Sequence, residues 1–411
     1  MPLVGAPIPT TVLPPATAER PGADAVPTRP PRGHLAGLDG LRALAIGAVM
    51  LFHLDPDWLP GGFLGVDIFF VISGFLITTL LVRERERDGS IDLRGFWTRR
   101  ARRLLPALLV VVPACILIAR TVEADLLVGI RRQALGALTF STNWLEIANG
   151  SDYFHSTSPQ LFMNFWSLAV EEQFYLAWPL VTIALLAARR HLGLSWGVLG
   201  ALVLSVGVGS ALLMALRYDP ADVTRVYYGT DTHLVGLMLG AAMAMTWAGP
   251  TRAGTTTPQW HRWRRHVVVG AGVLLAGLLV LADEGSAWTF RLGIPLVSLA
   301  TALLLLASVD RPGRLRTVLE APPLRWIGTR SYGIYLWHWP VILVIGQDIP
   351  AAAGTASFVW TRVWAVVVTL ALADLSFRFV ETPVRRLGFG GALRAAGRTL
   401  LRVPPRGRQA A

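Results

Sequence analysis

The stretch Leu38-Asp-Gly-Leu-Arg42-Ala-Leu-Ala-Ile-Gly-Ala-Val-Met-Leu-Phe-His53-Leu54 is apolar along most of its length but carries two ionisable side chains, Arg42 and His53. On an α-helix, eleven steps of about 100° return almost to the starting direction, so these two side chains share one face, roughly 16 Å apart along the axis. Ionisable groups inside a membrane are costly and usually face a bundle interior or an aqueous cavity. The stretch therefore predicts a membrane helix that carries part of an intramembrane site.

The composition of the whole chain is typical of a membrane protein. Of its 411 residues 53% are hydrophobic, and the mean hydropathy is +0.50. Apolar runs of nearly membrane-spanning length alternate with short arginine-rich pieces. We predict an all-α fold, a polytopic transmembrane helix bundle in the plasma (inner) membrane. Its ten predicted spans lie near residues 36–54, 62–82, 104–120, 166–188, 194–216, 230–248, 266–282, 291–309, 331–346 and 357–380.

Arginine supplies every one of the 38 basic side chains, and the net charge is +12. The arginines are dispersed in short loops between apolar runs, which is typical of positive-inside topology and argues against a nucleic-acid partner. With ten spans and a cytoplasmic N-terminus, most of them fall on the cytoplasmic side, so we predict that both termini are cytoplasmic. A further span at 130–148 would reverse the later loops. We therefore predict that 130–148 is re-entrant or interfacial.

Three regions are predicted along the chain. Residues 1–35 are rich in proline and alanine and are expected to be a disordered cytoplasmic lead. Residues 36–386 form the transmembrane domain, and residues 387–411 form an arginine-rich cytoplasmic tail. Cys115 is the single cysteine, and the histidines lack metal-ligand spacing, so no metal site is predicted.

The first two spans carry four polar side chains of interest. Asp39 lies three residues before Arg42, where it can cap the helix or pair with the arginine. A histidine such as His53 titrates near physiological pH and can take a proton from a hydroxyl, although a single histidine in a span is as often structural. The short loop 55–61 brings Asp67 of the second span close enough to orient His53. Ser73 lies among small residues that allow close helix packing.

The arginine run before the third span has two interpretations. Arg100 and Arg103 stand three residues apart in Arg99-Arg-Ala-Arg-Arg-Leu-Leu-Pro106. Positive-inside anchoring explains them, and it is the interpretation that spacing alone favours. The alternative is an anion clamp, in which the two guanidinium groups hold the phosphates of a donor such as acyl-CoA.

Two later segments combine polar and aromatic side chains. The first is Trp166-Ser-Leu-Ala-Val-Glu171-Glu172-Gln-Phe-Tyr175, in which neighbouring acids point in different directions within an aromatic surrounding. In the second, Ser331 to Pro340, an interfacial aromatic belt is interrupted by a histidine that is expected to face the interior. The predicted substrate-pocket residues are Asp39, Ser73, Trp166, Glu172, Tyr175, Tyr335 and His338.

In their order along the chain, these segments resemble the acyltransferase 3 family of integral-membrane sugar and polysaccharide O-acyltransferases. A closing Glu381-Thr-Pro383 also fits, and the resemblance extends from Leu38 to Arg386. It implies an acyl-CoA co-substrate, expected to be acetyl-CoA, with no tightly bound cofactor. It further implies a sugar hydroxyl acceptor in a cell-surface glycan, a glycolipid or a glycosylated metabolite. The resemblance implies that His53 is the catalytic histidine with Arg42 as its paired arginine, that Arg100 and Arg103 lie on the donor side, and that Glu171 is the characteristic acid. We predict His53, Glu171 and Asp67 as catalytic residues, and Arg42, Arg100 and Arg103 as residues that bind the donor.

Several alternatives remain open at this point. His53 can act as a base or carry the acyl group transiently, with Glu171 or Asp67 fixing its tautomer. Similar sequences often have arginine where this chain has His233. Many relatives append an esterase-like domain, so either this membrane domain acylates directly or a separate extracytoplasmic protein completes the transfer. A transporter or flippase of a lipid-linked saccharide or proton-coupled solute is the main rival function, and a lipid-linked glycosyltransferase is a third.

Overall fold

The computed structural model describes residues 35–150, 160–248, 258–348 and 354–401, and within these ranges it contains helices and short connections but no strand. The prediction of an all-α helix bundle is confirmed. Most of the predicted lead, and residues 402–411 of the predicted tail, lie outside the described ranges. The described α-helices are α1 (Leu38–Leu54), α2 (Gly65–Asp88), α3 (Leu93–Val122), α4 (Ile130–Thr139), α5 (Thr142–Ala148), α6 (Trp166–Leu192), α7 (Trp196–Arg217), α8 (Val223–Tyr228), α9 (Val235–Ala248), α10 (Pro258–Leu281), α11 (Ile294–Asp310), α12 (Arg314–Leu319), α13 (Pro322–Asp348), α14 (Ala356–Ser376) and α15 (Thr382–Leu401).

Most of the ten predicted spans coincide with helices in the described part of the chain. Six helical stretches there are long and apolar enough to cross a membrane, which supports a multi-pass membrane protein. The apolar part of α9 is shorter, and α1 has only 17 residues. The number of spans and the cytoplasmic location of the termini stay predictions. The six stretches are Pro60–Asp88, Leu93–Val122, Trp196–Arg217, Pro258–Leu281, Thr289–Asp310 and Ala356–Ala395.

The connection between α2 and α3 places the arginine run inside a helix. Gly89 ends α2 in the left-handed conformation at φ 71°, which glycine adopts without strain. Asp92 then caps α3 by accepting a hydrogen bond from the Gly95 N–H. Because α3 begins at Leu93, eleven residues before the predicted span, Arg100 and Arg103 project from helical turns and not from a loop.

Residues 130–148 do not form one continuous helix. Phe140 adopts the left-handed conformation, φ 53° and ψ 44°, and separates α4 from α5. The Gln173 amide donates to the Phe140 carbonyl at 3.0 Å, which satisfies the backbone at this break. Since the ten residues of α4 extend only about 15 Å, half of a hydrocarbon core of about 30 Å, the segment lacks a single spanning helix.

Helices α2 and α9 approach each other closely because glycines face the contact. A Cβ atom on Gly74 of α2 would lie 1.9 Å from the Leu237 carbonyl oxygen of α9. A Cβ atom on Gly240 of α9 would lie 2.1 Å from the Val71 carbonyl oxygen of α2. Such backbone contacts are typical of membrane helix pairs built on small residues. A larger residue at either glycine would therefore push the two helices apart.

The last two helices are joined without a loop. A π-helical turn, Phe377–Glu381, connects α14 to α15, and Gly388 interrupts α15 at φ 73°. The predicted boundary between transmembrane domain and tail, at residues 386 and 387, therefore falls inside α15. That division into domains stays a prediction.

Candidate functional site

Two histidines meet at one end of the bundle. His53 lies in the last turn of α1, and His338 lies on α13, completely buried. Their ring nitrogens, His53 Nδ1 and His338 Nε2, are 3.2 Å apart. The Trp339 ring centroid is 5.0 Å from that of His53. Residues far apart in the sequence thus form one cluster around His53.

The surrounding carbonyl groups determine which ring nitrogens carry hydrogen. The Nδ1–H of His338 donates to the Tyr335 carbonyl at 2.8 Å, because a carbonyl oxygen can only accept. His338 Nε2 is therefore an acceptor when the ring is neutral. The Nδ1–H of His53 faces two acceptors, the Val49 carbonyl at 2.9 Å and His338 Nε2. Neutral His53 consequently carries its lone pair on Nε2, the tautomer that a general base requires.

His53 borders a cavity of about 270 Å³, which we call the His53 cavity. Trp339 and Ile342 of α13 form one side of it. Thr361 and Arg362 of α14 form another. The cavity combines one basic side chain, one imidazole and a large apolar wall, a mixture typical of small-molecule sites.

Arg42 and Glu171 border a smaller chamber of about 40 Å³, which we call the central chamber. Arg42 Nε donates to Ser331 Oγ at 3.1 Å. Glu171 Oε1 accepts hydrogen bonds from the hydroxyls of Ser73 and Tyr175. Both charged side chains are thus held in place by hydroxyl groups of neighbouring helices, or of the same helix in the case of Tyr175.

A third space of about 250 Å³, the Arg100 cavity, lies between α3, α4 and α6. The Arg100 guanidinium lies over the Tyr175 ring, with 4.6 Å between Cζ and the ring centroid. Glu172 and Phe140 also border this cavity. An arginine that stacks on an aromatic ring keeps its N–H groups available at the edge of the plane.

The three spaces are linked by side chains that they share or that touch. Tyr175 borders the Arg100 cavity and donates to Glu171, which borders the central chamber. Tyr335 borders the central chamber, and its carbonyl accepts from His338, the neighbour of His53. Contacts between side chains therefore lead from the Arg100 cavity past the central chamber to His53 and its cavity.

Comparison with known proteins decides the family. A family model described as an acyltransferase domain matches residues 35–378. The chain belongs to the acyltransferase 3 family. This confirms the resemblance found in the sequence motifs and assigns the protein to the acyltransferases.

Three relatives show how this acyltransferase compares with longer proteins. It is 39% identical over 360 residues to the putative peptidoglycan O-acetyltransferase YrhL of Bacillus subtilis (strain 168), covering 87% of this chain and 56% of the relative. It is 38% identical over 369 residues to the peptidoglycan O-acetyltransferase OatA of Listeria monocytogenes serovar 1/2a, covering 88% and 57%. It is 34% identical over 361 residues to the O-acetyltransferase OatA of Staphylococcus aureus (strain NCTC 8325), covering 87% and 58%.

The chain thus spans less than three fifths of the length of these relatives. No solved structure matches this acyltransferase.

Asp67 does not contact His53 as the sequence analysis expected. Its Oδ1 atom lies 2.9 Å from Nε2 of His233, and both side chains are fully buried. His233 Nδ1 lies 2.6 Å from the Tyr227 carbonyl, so it carries a hydrogen. One further proton must lie between His233 Nε2 and the carboxyl group. The pair is neutral as a whole whichever partner holds that proton, which makes its burial tolerable.

Replacing His233 with alanine should destabilise the acyltransferase by about 3–5 kcal/mol, because Asp67 would be left buried without its partner. Denaturation in detergent would measure this loss. The double variant Asp67→Ala/His233→Ala should lose less than the sum of the two single variants, whereas simple additivity would contradict the coupling. His261→Ala is the control, since its contact with Asp310 is 3.9 Å long and partly exposed.

Four predicted pocket residues border none of the three spaces. Ser73 and His338 contact Glu171 and His53, which do border them, whereas Trp166 and Asp39 lie further away. Trp166 is fully buried and stacks on Tyr228, with ring centroids 4.8 Å apart and planes 13° apart. Its ring also packs against that of His233, and it borders none of the three spaces. Asp39 lies at the start of α1, where its carbonyl packs against Gly328. The assignment of Trp166 and Asp39 to the substrate pocket stays a prediction.

The two arginines of the predicted clamp are placed differently. Arg100 borders the Arg100 cavity, and Arg103 does not. Arg103 instead interacts electrostatically with both Arg42 and Arg100, so three guanidinium groups share one region. Glu171 and Glu172 interact electrostatically with the same cluster, so acidic side chains offset part of the charge of the three arginines.

Sequence reasoning missed Arg362 and the role of His233. Arg362 lies within the predicted span 357–380 and received no role from the sequence, although it borders the same cavity as His53. His233 was noted only as a departure from similar sequences, although it is the partner of Asp67. An isolated charged residue in an apolar run was the available signal for Arg362.

Proposed function

We propose that this acyltransferase moves an acetyl group from cytoplasmic acetyl-CoA to a hydroxyl of a cell-wall glycan on the opposite side of the membrane. The observation that carries the proposal is the order of the three spaces. A cationic cavity comes first, a small chamber second, and a cavity with a histidine base last. The similarity to peptidoglycan O-acetyltransferases supports the glycan and the acetyl group. Membrane lipid, acyl-CoA and the glycan are the proposed partners.

The donor would enter at the Arg100 cavity. The guanidinium groups of Arg100 and Arg103 would bind phosphate oxygens, which match the fork of N–H donors. Apolar walls formed by Trp97 and Leu104 suit the uncharged arm that carries the thioester. Arg42, in the same electrostatic cluster, borders the next space along this path.

The size of the central chamber supports acetyl over longer acyl groups. A cavity needs a volume of about 10–15 Å³ to hold one water molecule. The central chamber has a volume of about 40 Å³, so it has room for about three non-hydrogen atoms. An acetyl group has three, the methyl carbon, the carbonyl carbon and the oxygen. Phe69 and Leu168 narrow the chamber and would exclude longer chains.

At the far end, His53 would act as the general base. The acceptor hydroxyl attacks the thioester carbonyl carbon while its proton passes to His53 Nε2, the nitrogen that carries the lone pair. The carbon–sulfur bond breaks, and His53 returns the proton to the departing thiolate. The products are an acetyl ester and free CoA. His338, which accepts from the His53 Nδ1–H, would hold the ring in this tautomer.

Membranes that contain the protein should transfer label from radioactive acetyl-CoA to a glycan fraction, and His53→Ala membranes should not. Butyryl-CoA should be at least about tenfold slower, because its two extra methylene groups overfill the chamber. Label that crosses the membrane without becoming covalently attached would favour the transporter instead. Equal rates with acetyl-CoA and butyryl-CoA would contradict the selection for acetyl by the central chamber, but not the acyltransferase activity itself.

A further inference from the structure

The His53 cavity is large enough for one sugar ring. At about 10–15 Å³ for each water-sized position, its volume of about 270 Å³ holds about twenty such positions, more than the twelve non-hydrogen atoms of a hexose. Trp339 offers an aromatic wall beside the imidazole of His53. The cavity can therefore take the acceptor sugar of the proposed function, on which this inference rests.

Arg362 gives that cavity a positive charge. Its Nε–H donates to the Leu54 carbonyl at 3.2 Å, directly after His53, and its Cζ lies 3.6 Å from the Phe358 ring centroid. Within the described part of the chain, no carboxylate lies within ion-pair distance of its guanidinium. A guanidinium has five N–H donors, and the contacts seen engage only one of them. The remaining donors form a planar fork that matches a carboxylate.

We infer that Arg362 is a recognition residue for the acceptor, and that the acceptor is a sugar carrying a carboxylate. A partly buried arginine without a counter-charge is costly, and an anionic ligand would compensate that cost. Because Arg362 and His53 border the same cavity, a sugar anchored by its carboxylate would present a ring hydroxyl to His53. Neutral sugars would lack this anchor.

Chemical protection of His53 tests the inference without turnover. The full chain in detergent is treated with diethyl pyrocarbonate, and modification of the His53 peptide is followed by mass spectrometry in the presence of glucuronate, glucose or inorganic phosphate. Glucuronate near saturation should slow the modification by about fivefold, as expected for occupancy of about four fifths. Glucose and phosphate at the same concentration should each change it by less than about twofold. The rate for His261, at the start of α10, should not change.

The variants separate the charge of Arg362 from its shape. Arg362→Gln should abolish protection by glucuronate, and Arg362→Lys should retain only part of it, since lysine lacks the fork. Arg291→Gln is the matched control, because Arg291 packs on Tyr218 and does not border the cavity. It should be protected like the unaltered protein.

Each other outcome overturns the inference. Equal protection by phosphate would indicate a general anion site, and equal protection by glucose would show that the carboxylate is not recognised. Persistent protection in Arg362→Gln, or no protection by glucuronate in the unaltered protein, would remove Arg362 from recognition. Protection without any acetyl transfer in the labelled-donor assay would instead contradict the proposed function and leave the binding site standing.

Discussion

Replacing His53 with glutamine is expected to lower acetyl transfer by about 10³-fold. Glutamine keeps an N–H that can donate to the Val49 carbonyl, but it has no lone pair basic enough to accept the proton of a hydroxyl. General base catalysis contributes typically 10²- to 10⁴-fold, so the loss should lie within that range. The initial rate of labelled acetyl transfer in membranes, normalised to the amount of protein, measures it.

The control for this substitution is His191→Ala. His191 lies in the last turn of α6 and is exposed, so its removal should leave the rate within about twofold, as is usual for surface positions. A His53→Gln protein that keeps more than about a tenth of the activity would show that His53 is not the base.

Glutamine in place of Glu171 should have the second largest effect, a loss of transfer of about 100-fold with the fold retained. Glutamine still accepts hydrogen bonds from Ser73 and Tyr175, but it no longer balances the charges of Arg42 and Arg100. Hydrogen bonds to a charged group contribute about 1.5–3 kcal/mol, which corresponds to about 10- to 100-fold in rate. Donor titrations would show whether the loss lies in the apparent affinity for acetyl-CoA or in the maximal rate.

Glu84→Gln tests whether any lost carboxylate has this effect. Glu84 pairs with Arg99 at 3.2 Å on the surface. Exposed ion pairs contribute at most about 1 kcal/mol, so this variant should transfer acetyl at nearly the normal rate. If both glutamate variants were equally active, Glu171 would have no part in donor handling.

Much of the architecture could be predicted because it depends on local sequence. Apolar runs indicate membrane helices wherever they occur, and helical periodicity places Arg42 and His53 on one face of α1. In the structure Arg42 borders the central chamber and His53 borders the His53 cavity. The polar residues Ser141, Thr142 and Asn143 follow Phe140 and interrupt the apolar run. A phenylalanine in the left-handed conformation, however, has no simple sequence signal.

The partners of the charged residues could not be predicted in the same way. His53 meets His338 across 285 residues, and Asp67 meets His233 across 166. Such pairs depend on how each helix is rotated about its axis, and hydropathy does not specify that rotation. The short loop after His53 suggested Asp67 as its partner, yet Asp67 contacts His233 in the connection that precedes α9. The packing between helices that are distant in the sequence therefore determines which charged side chains meet at the site.

The backbone contact of Gly74 with α9 has a consequence for movement during a catalytic cycle. In the proposed reaction a thioester arm would have to pass the Tyr175–Glu171 hydrogen bond to reach His53, so the path would have to widen at that point. Ser73, which also holds Glu171, belongs to α2, and α2 cannot separate from α9 without losing a contact that leaves no room for a side chain. If the proposed reaction takes place, we therefore expect the α2 and α9 pair to keep its position and the side chains of Tyr175 and Glu171 on α6 to move aside for the donor.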